Sequence, residues 1–164
     1  MADDIAGFFF FRRLACCVWP CYTSVVLQIT TGGRKMATIY TIGHSNVPVG
    51  KLIELLSIYK VVLVIDVRSE PYSKYVPHFN KREIESELRS HGFDYMYMGD
   101  KLGGKPKNTG FYTSGGVPDY EKMAESSIFK QGIENLERIV DERPTALMCS
   151  EADPRACHRH RLLA

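Results

Sequence analysis

Four short apolar runs, each closed by a polar turn and separated by stretches of helical spacing, constrain this chain more than any other feature. The runs are residues 38–42, 61–65, 93–98 and 145–149. The first is rich in β-branched and aromatic residues and stops at Gly43, which reads as a strand. The second, VVLVI, is uninterrupted, as expected of a strand buried on both faces of a parallel sheet. Between them Val49, Leu52, Ile53, Leu56 and Tyr59 recur at helical spacing. Asn80 with Glu83 three residues on reads as a capping-box-like helix start, and that helix should run to about residue 91, before Gly92. Residues 120–140 place Met123, Ile128, Phe129, Ile133, Leu136, Ile139 and Val140 along one side, with a break expected near 126–127. Residues 67–80 and the glycine-rich 99–118 read as loops, and a last helix is expected over 155–163. Strand and helix alternate throughout. The expected fold is α/β: a mostly parallel sheet of about four strands flanked by helices, a three-layer Rossmann-like sandwich.

At 164 residues the chain is long enough for one well-buried domain. Residues 1–35 differ in character, with FFFFRR and then LACCVWPCY. Neither apolar stretch there reaches the ~18–20 residues of a membrane span, and two acids precede the basic residues, unlike a signal peptide. The expectation is an N-terminal extension over 1–35, disordered or upstream of a native start at Met36, and a single α/β domain over 36–164. A targeting role or an ordered element are the alternatives for the extension. The formal net charge of +2 comes from that stretch, and residues 36–164 hold 17 basic and 17 acidic residues. A neutral domain argues against strong nonspecific nucleic-acid binding, although a local basic patch is compatible with it. The five cysteines are Cys16, Cys17, Cys21, Cys149 and Cys157. The domain keeps two, without a CxxC pair, which suits a reducing cytoplasm rather than a disulfide framework. No oligomeric state follows from these properties.

In open parallel sheets, ligands bind beyond the carboxyl ends of the strands. All four polar turns follow strands, so His44, Ser45, Asp66, Arg68, Ser69, Gly103, Gly104, Cys149 and Glu151 are expected on one edge. His44, Asp66 and Glu151 are acid/base candidates, and Cys149 is a candidate nucleophile. Arg68 and Arg159 carry the guanidinium fork that suits phosphate or carboxylate, with Ser45, Ser69, Tyr72 and His158 as further ligand contacts. The expected ligand is a small anionic, phosphate-bearing or nucleotide-like molecule. A nucleic-acid or protein binding module without catalysis is the alternative, as is a thiol phosphatase or sulfur transferase acting through Cys149.

Each chemical pattern has a counterweight. Cys149 to Arg155 fits C-x5-R, the spacing of phosphatase loops, but Glu151 and Asp153 bring two negative charges into the would-be anion cradle and Pro154 removes an N–H. A metal site would draw on Cys149, Cys157, His158 and His44. The eight-residue gap between the cysteines lacks the paired short spacing of structural zinc, so no metal ligand and no cofactor are assigned. His44, Ser45 and Asp66 contain the residue types of a hydrolase triad, but adjacent side chains point apart on an extended chain. Lys101, Lys105 and Lys107 around the LGG turn match neither GxxxxGK[ST] nor GxGxxG.

TIGHS at 41–45, DVRSEPYS at 66–73, HFN at 78–80, LGG at 102–104 and LMCSEADPRACHR at 147–159 together resemble the domain-of-unknown-function family 488. The resemblance covers about residues 38–161. It implies the same small α/β domain and the same polar edge, and it brings no established reaction. Members of that family usually continue past the CHR helix, so the resemblance also implies a domain truncated at its C-terminus.

Overall fold

The computed structural model describes residues 11–19, 22–29, 37–140 and 143–163. Among them run six strands: β1 (Phe11–Trp19), β2 (Tyr22–Ile29), β3 (Ala37–Gly43), β4 (Leu63–Asp66), β5 (Asp94–Tyr97) and β6 (Thr145–Cys149). The helices are α1 (Val49–Ile58), α2 (Lys81–Ser90), α3 (Gly99–Leu102), α4 (Tyr120–Glu125), α5 (Ser127–Val140) and α6 (His158–Arg161). The sheet order is β1-β2-β3-β6-β4-β5. Strands β3, β6, β4 and β5 pair in parallel, which is the four-stranded α/β sheet that the alternation of apolar runs demands. Strands β1 and β2 add to its β3 edge in antiparallel fashion. They come from the stretch expected to lie outside the domain. The VVLQI run of β2 carries the β-branched residues that suit a pairing strand. The rest of residues 1–35 lies outside the described residues.

Side chains alternate across the sheet, and this splits the core in two. Ile42, Val64, Ala146 and Met148 pack against Leu52 and Leu56 of α1 and Ile84 and Leu88 of α2. Ile39, Leu63, Ile65 and Leu147 pack on the other face against Phe129, Leu136 and Val140 of α5. The result is three layers, with β6 buried along its whole length between them. No helix among the described residues is long and apolar enough to cross a membrane.

Four local expectations change. Asn80 is the N-cap of α2, but its side chain makes no cap hydrogen bond; Asn80 Oδ1 instead accepts the Ser73 N–H at 2.6 Å and ties down the loop before the helix. The glycine-rich stretch holds α3, whose Leu102 is driven into the core against Gly132. A Cβ on Gly132 would lie 2.7 Å from Leu102 Cδ2, so a side chain there would force Leu102 to shift. Ile128 is exposed because the break at Ser126 rotates it off the buried stripe. The last helix begins at His158 rather than Arg155, with Cys157 as its N-cap residue.

Ile65 sits in the middle layer with no solvent exposure. Ile65→Ala should lower unfolding free energy by about 2–5 kcal/mol, read as a shift of the urea midpoint without a change in slope.

Candidate functional site

The backbone pairing of β3 and β6 does not stop where the strands end. His44 N–H donates to Cys149 O and Ser45 N–H to Ser150 O, each at 2.9 Å. Val67 N–H likewise donates to Met148 O, and Met98 N–H to Asp66 O. The turns after all four parallel strands are thus fastened side by side at one edge. The pleat then divides their side chains. Even-numbered Asp66 follows Val64 onto the α1/α2 face, whereas Cys149 follows Leu147 onto the α5 face.

On the α1/α2 face, Asp66 and Arg68 form a fully engaged ion pair. The Asp66 carboxylate accepts from Arg68 Nε at 2.8 Å, Arg68 Nη2 at 2.6 Å, the Arg68 backbone N–H at 3.1 Å and the Tyr95 hydroxyl at 2.8 Å. Arg68 Nη1 donates to the Phe79 carbonyl and lies 3.0 Å from His44 Nε2. Four of the five guanidinium N–H groups are therefore used inside the protein. Burial works against the Arg68 charge, but its hydrogen bonds and attraction to Asp66 more than offset this and hold its pKa above the ordinary value. Burial, and then the Asp66 charge, push the Tyr95 phenol up. His44 is buried and stacked on Phe79, with its Nδ1 2.7 Å from the Ser45 carbonyl. Nδ1–H donates there, which leaves Nε2 to accept from Arg68. Burial, followed by the Arg68 charge, lowers the His44 pKa to about 4.

On the α5 face, β6 and the start of α6 bring Cys149, Cys157 and His158 together. Their ligand atoms lie within 4.8 Å of one another, and all three residues are buried. His158 Nδ1 is 3.7 Å from Cys149 Sγ and 3.6 Å from Cys157 Sγ. Arg159, 1% exposed, donates from Nε to Cys157 Sγ at 3.2 Å and from its backbone N–H at 3.5 Å. Its Nη2 donates to the Glu151 carbonyl. The two thiols differ sharply. Cys157, which receives a hydrogen bond from Cys149 and faces His158 and Arg159, has its pKa lowered. Cys149 is pushed up, first by donating to Cys157 and then by burial. Two glycines allow this crowding. A Cβ on Gly43 would collide with the Glu151 carbonyl and approach Arg159 Nη2, and one on Gly104 would lie 2.5 Å from His158 Cβ.

The polar residues expected on one edge are at that edge, but as two constellations. His44, Asp66 and Arg68 form the first; Cys149, His158 and Arg159 form the second, with Gly104 packed against it. Ser69 Oγ accepts the Lys105 N–H and lies against Gly103, which ties the second turn to the LGG turn. Ser45 adopts φ 46° and contributes its carbonyl to His44. The Glu151 side chain is exposed, and what this residue brings to Arg159 is its backbone carbonyl. Tyr72 points to solvent, 77% exposed. The C-x5-R cradle does not form: Arg155 pairs with Asp153 on the outside, and Arg159 takes the inner position. His44 is unavailable to a metal, since one ring nitrogen serves Arg68 and the other serves Ser45. The sequence offers Cys157 only as a candidate metal ligand and does not place Tyr95 at the site. Adjacency of Cys157 to His158 and Arg159 was the available signal for the first; nothing in the sequence marks the second.

The family model "Domain of unknown function DUF488" matches residues 48–164. Neither the curated proteins nor the solved structures contain a match to the chain.

Removing one partner of the buried ion pair strands the other charge. Asp66→Ala should cost about 3–5 kcal/mol, and the double substitution Asp66→Leu with Arg68→Met distinctly less, in the same denaturation experiment. Because the folded-state pKa of His44 is depressed, the unfolded chain takes up its proton first as pH falls. Stability from this group is complete above about pH 6.5 and is lost towards pH 4, by roughly 3 kcal/mol in all. His44→Gln should remove that part of the pH dependence, measured by urea denaturation between pH 7 and pH 4.

Proposed function

We propose that this chain, which belongs to the DUF488 family of domains of unknown function, binds a small anionic, phosphate-bearing or nucleotide-like ligand beyond the ends of β3 and β6, with Arg159 as the anchor. One observation carries the reading: Arg159 Nη1 is buried and without a hydrogen-bond partner, although Nε and Nη2 each donate one bond inside the protein. A buried guanidinium donor left unpaired is costly, and an anionic oxygen relieves both the hydrogen bond and the charge. Two other buried side-chain atoms among the described residues are unpartnered, His158 Nε2 and Thr41 Oγ1. His158 adjoins Arg159, and Thr41 lies two residues after Ile39 on the same face of β3. Arg68 has no comparable capacity, since Asp66 neutralises it. Of the two expected anion clamps Arg159 therefore takes that role alone, and the Asp66–Arg68–His44 network positions the turns.

Thiol chemistry is a second reading, favoured by the contact of Arg159 Nε with Cys157 Sγ. It makes Cys157 the nucleophile in place of Cys149. It ranks behind ligand binding because Cys157 Sγ already accepts from Arg159, whereas Arg159 Nη1 has no partner. The reading includes a cytoplasmic location, supported by the two free thiols of the domain.

Isothermal titration with inorganic phosphate and with a nucleoside monophosphate tests the proposal. The chain should bind at least one of them, and Arg159→Lys, which keeps the charge and loses the fork, should weaken binding by about tenfold or more. Absence of binding up to millimolar ligand, or equal binding by Arg159→Lys, overturns it.

A further inference from the structure

We propose that Cys149, Cys157 and His158 are three protein ligands of a tetrahedral, thiophilic divalent ion of the zinc class. The donors come from two separate places in the chain, the end of β6 and the start of α6, and the fold brings them to within 4.8 Å of one another. Bonds of about 2.3 Å to sulfur and about 2.0 Å to nitrogen place neighbouring ligand atoms about 3.5–3.7 Å apart in a tetrahedral site. The two sulfur–nitrogen separations here are 3.7 and 3.6 Å. Both edges that meet at the imidazole already have the length that coordination requires.

Hydrogen bonding alone accounts less well for this geometry. His158 Nδ1 is either a donor with one proton or an acceptor with one lone pair. One bond from that nitrogen holds one sulfur, and the Cys149–Cys157 and Arg159 contacts hold the sulfurs otherwise, whereas a shared ion ties all three ligand atoms directly. Burial points the same way. Cys149 is 5% exposed, Cys157 1% and His158 8%, which suits ligands of an enclosed ion better than a nucleophile awaiting substrate.

The surroundings fit a metal thiolate. Arg159 donates to Cys157 Sγ from its side chain and its backbone, and N–H groups directed at a ligating sulfur are the usual outer shell of such centres. Two thiolates and one imidazole select zinc, cobalt or copper over calcium and magnesium, which take oxygen donors. His44 and Asp66 are both committed to Arg68 and do not supply a fourth ligand. The fourth position is left to a water molecule. The metal site goes beyond the anion-binding reading and does not depend on it.

The test uses the full chain, purified without chelator and without a metal-affinity resin. Elemental analysis should find about one zinc per chain. Cobalt titration should give the sulfur-to-cobalt charge-transfer band and the intense ligand-field bands of a tetrahedral thiolate site. Cys149→Ser, Cys157→Ser and His158→Gln should each weaken the metal by at least about 100-fold. Exposed His91→Gln and the triple substitution of Cys16, Cys17 and Cys21 by serine should leave it unchanged. Cys149→Ser should lose the ion while phosphate binding, which is anchored on Arg159, persists, so the two readings fail separately. If the wild-type chain takes up cobalt without a sulfur charge-transfer band, or binds no ion at micromolar concentration, the proposal is overturned even where a variant fails to fold. Retention of the ion by Cys157→Ser with loss in the N-terminal triple variant overturns it as well.

Discussion

Insertion of the last strand between the first and second parallel strands is the constraint from which the rest of the structure follows. Because β6 lies between β3 and β4, the turn after Gly43 and the turn after Cys149 become neighbours. Their backbones then continue the ladder for two further hydrogen bonds beyond the strands. Strand pairing of this kind satisfies main-chain groups that would otherwise be buried and unpaired at the sheet edge. It also brings Gly43 under the Glu151 carbonyl and Arg159, where any side chain at residue 43 would collide. Pairing, close backbone approach and the position of Arg159 are therefore one arrangement.

The two polar constellations answer different physical demands. Asp66, Arg68, Tyr95 and His44 form a closed network in which nearly every donor and acceptor is matched. Such a network contributes specificity of register, and it does so only while complete, since a half-satisfied one is worse than an apolar core. The Cys149, Cys157, His158 and Arg159 cluster is open by comparison. It retains unpaired buried nitrogens on two adjacent residues and offers soft donors at coordination spacing. Closed chemistry on one face of the sheet and open chemistry on the other is the division expected when one face fixes the turns and the other meets a ligand.

The glycines and the short helices mediate between them. Gly132 admits Leu102, which seats α3, and α3 leads directly into Gly103 and Gly104. Gly104 then packs on His158, while Gly103 packs on Ser69 of the second turn. A stretch that reads as a glycine-rich loop is thus a bracket between the two constellations. Gly103 and Gly104 serve this close packing.

By itself the sequence determined the α/β class, the four parallel strands, the helix break at Ser126 and the concentration of polar residues after strand ends. These follow from local rules, namely apolar periodicity, β-branched content and breakers, which act within one segment. The tertiary structure alone decided the strand order, and with it which turns touch. It also decided, through the pleat, that Asp66 and Cys149 face opposite sides of the sheet although both end strands. Residue types suggested Arg68 and Arg159 as anion clamps and Cys149 as the reactive thiol. Asp66 meets Arg68, and Cys157 meets Arg159, across only two residues each; which face of the sheet these local pairs enter, and what lies against them, depends on how the chain folds back on itself. The eight-residue spacing of Cys149 and Cys157 matched no metal pattern for the same reason: the loop between them folds back, and distance along the chain ceases to measure distance in space.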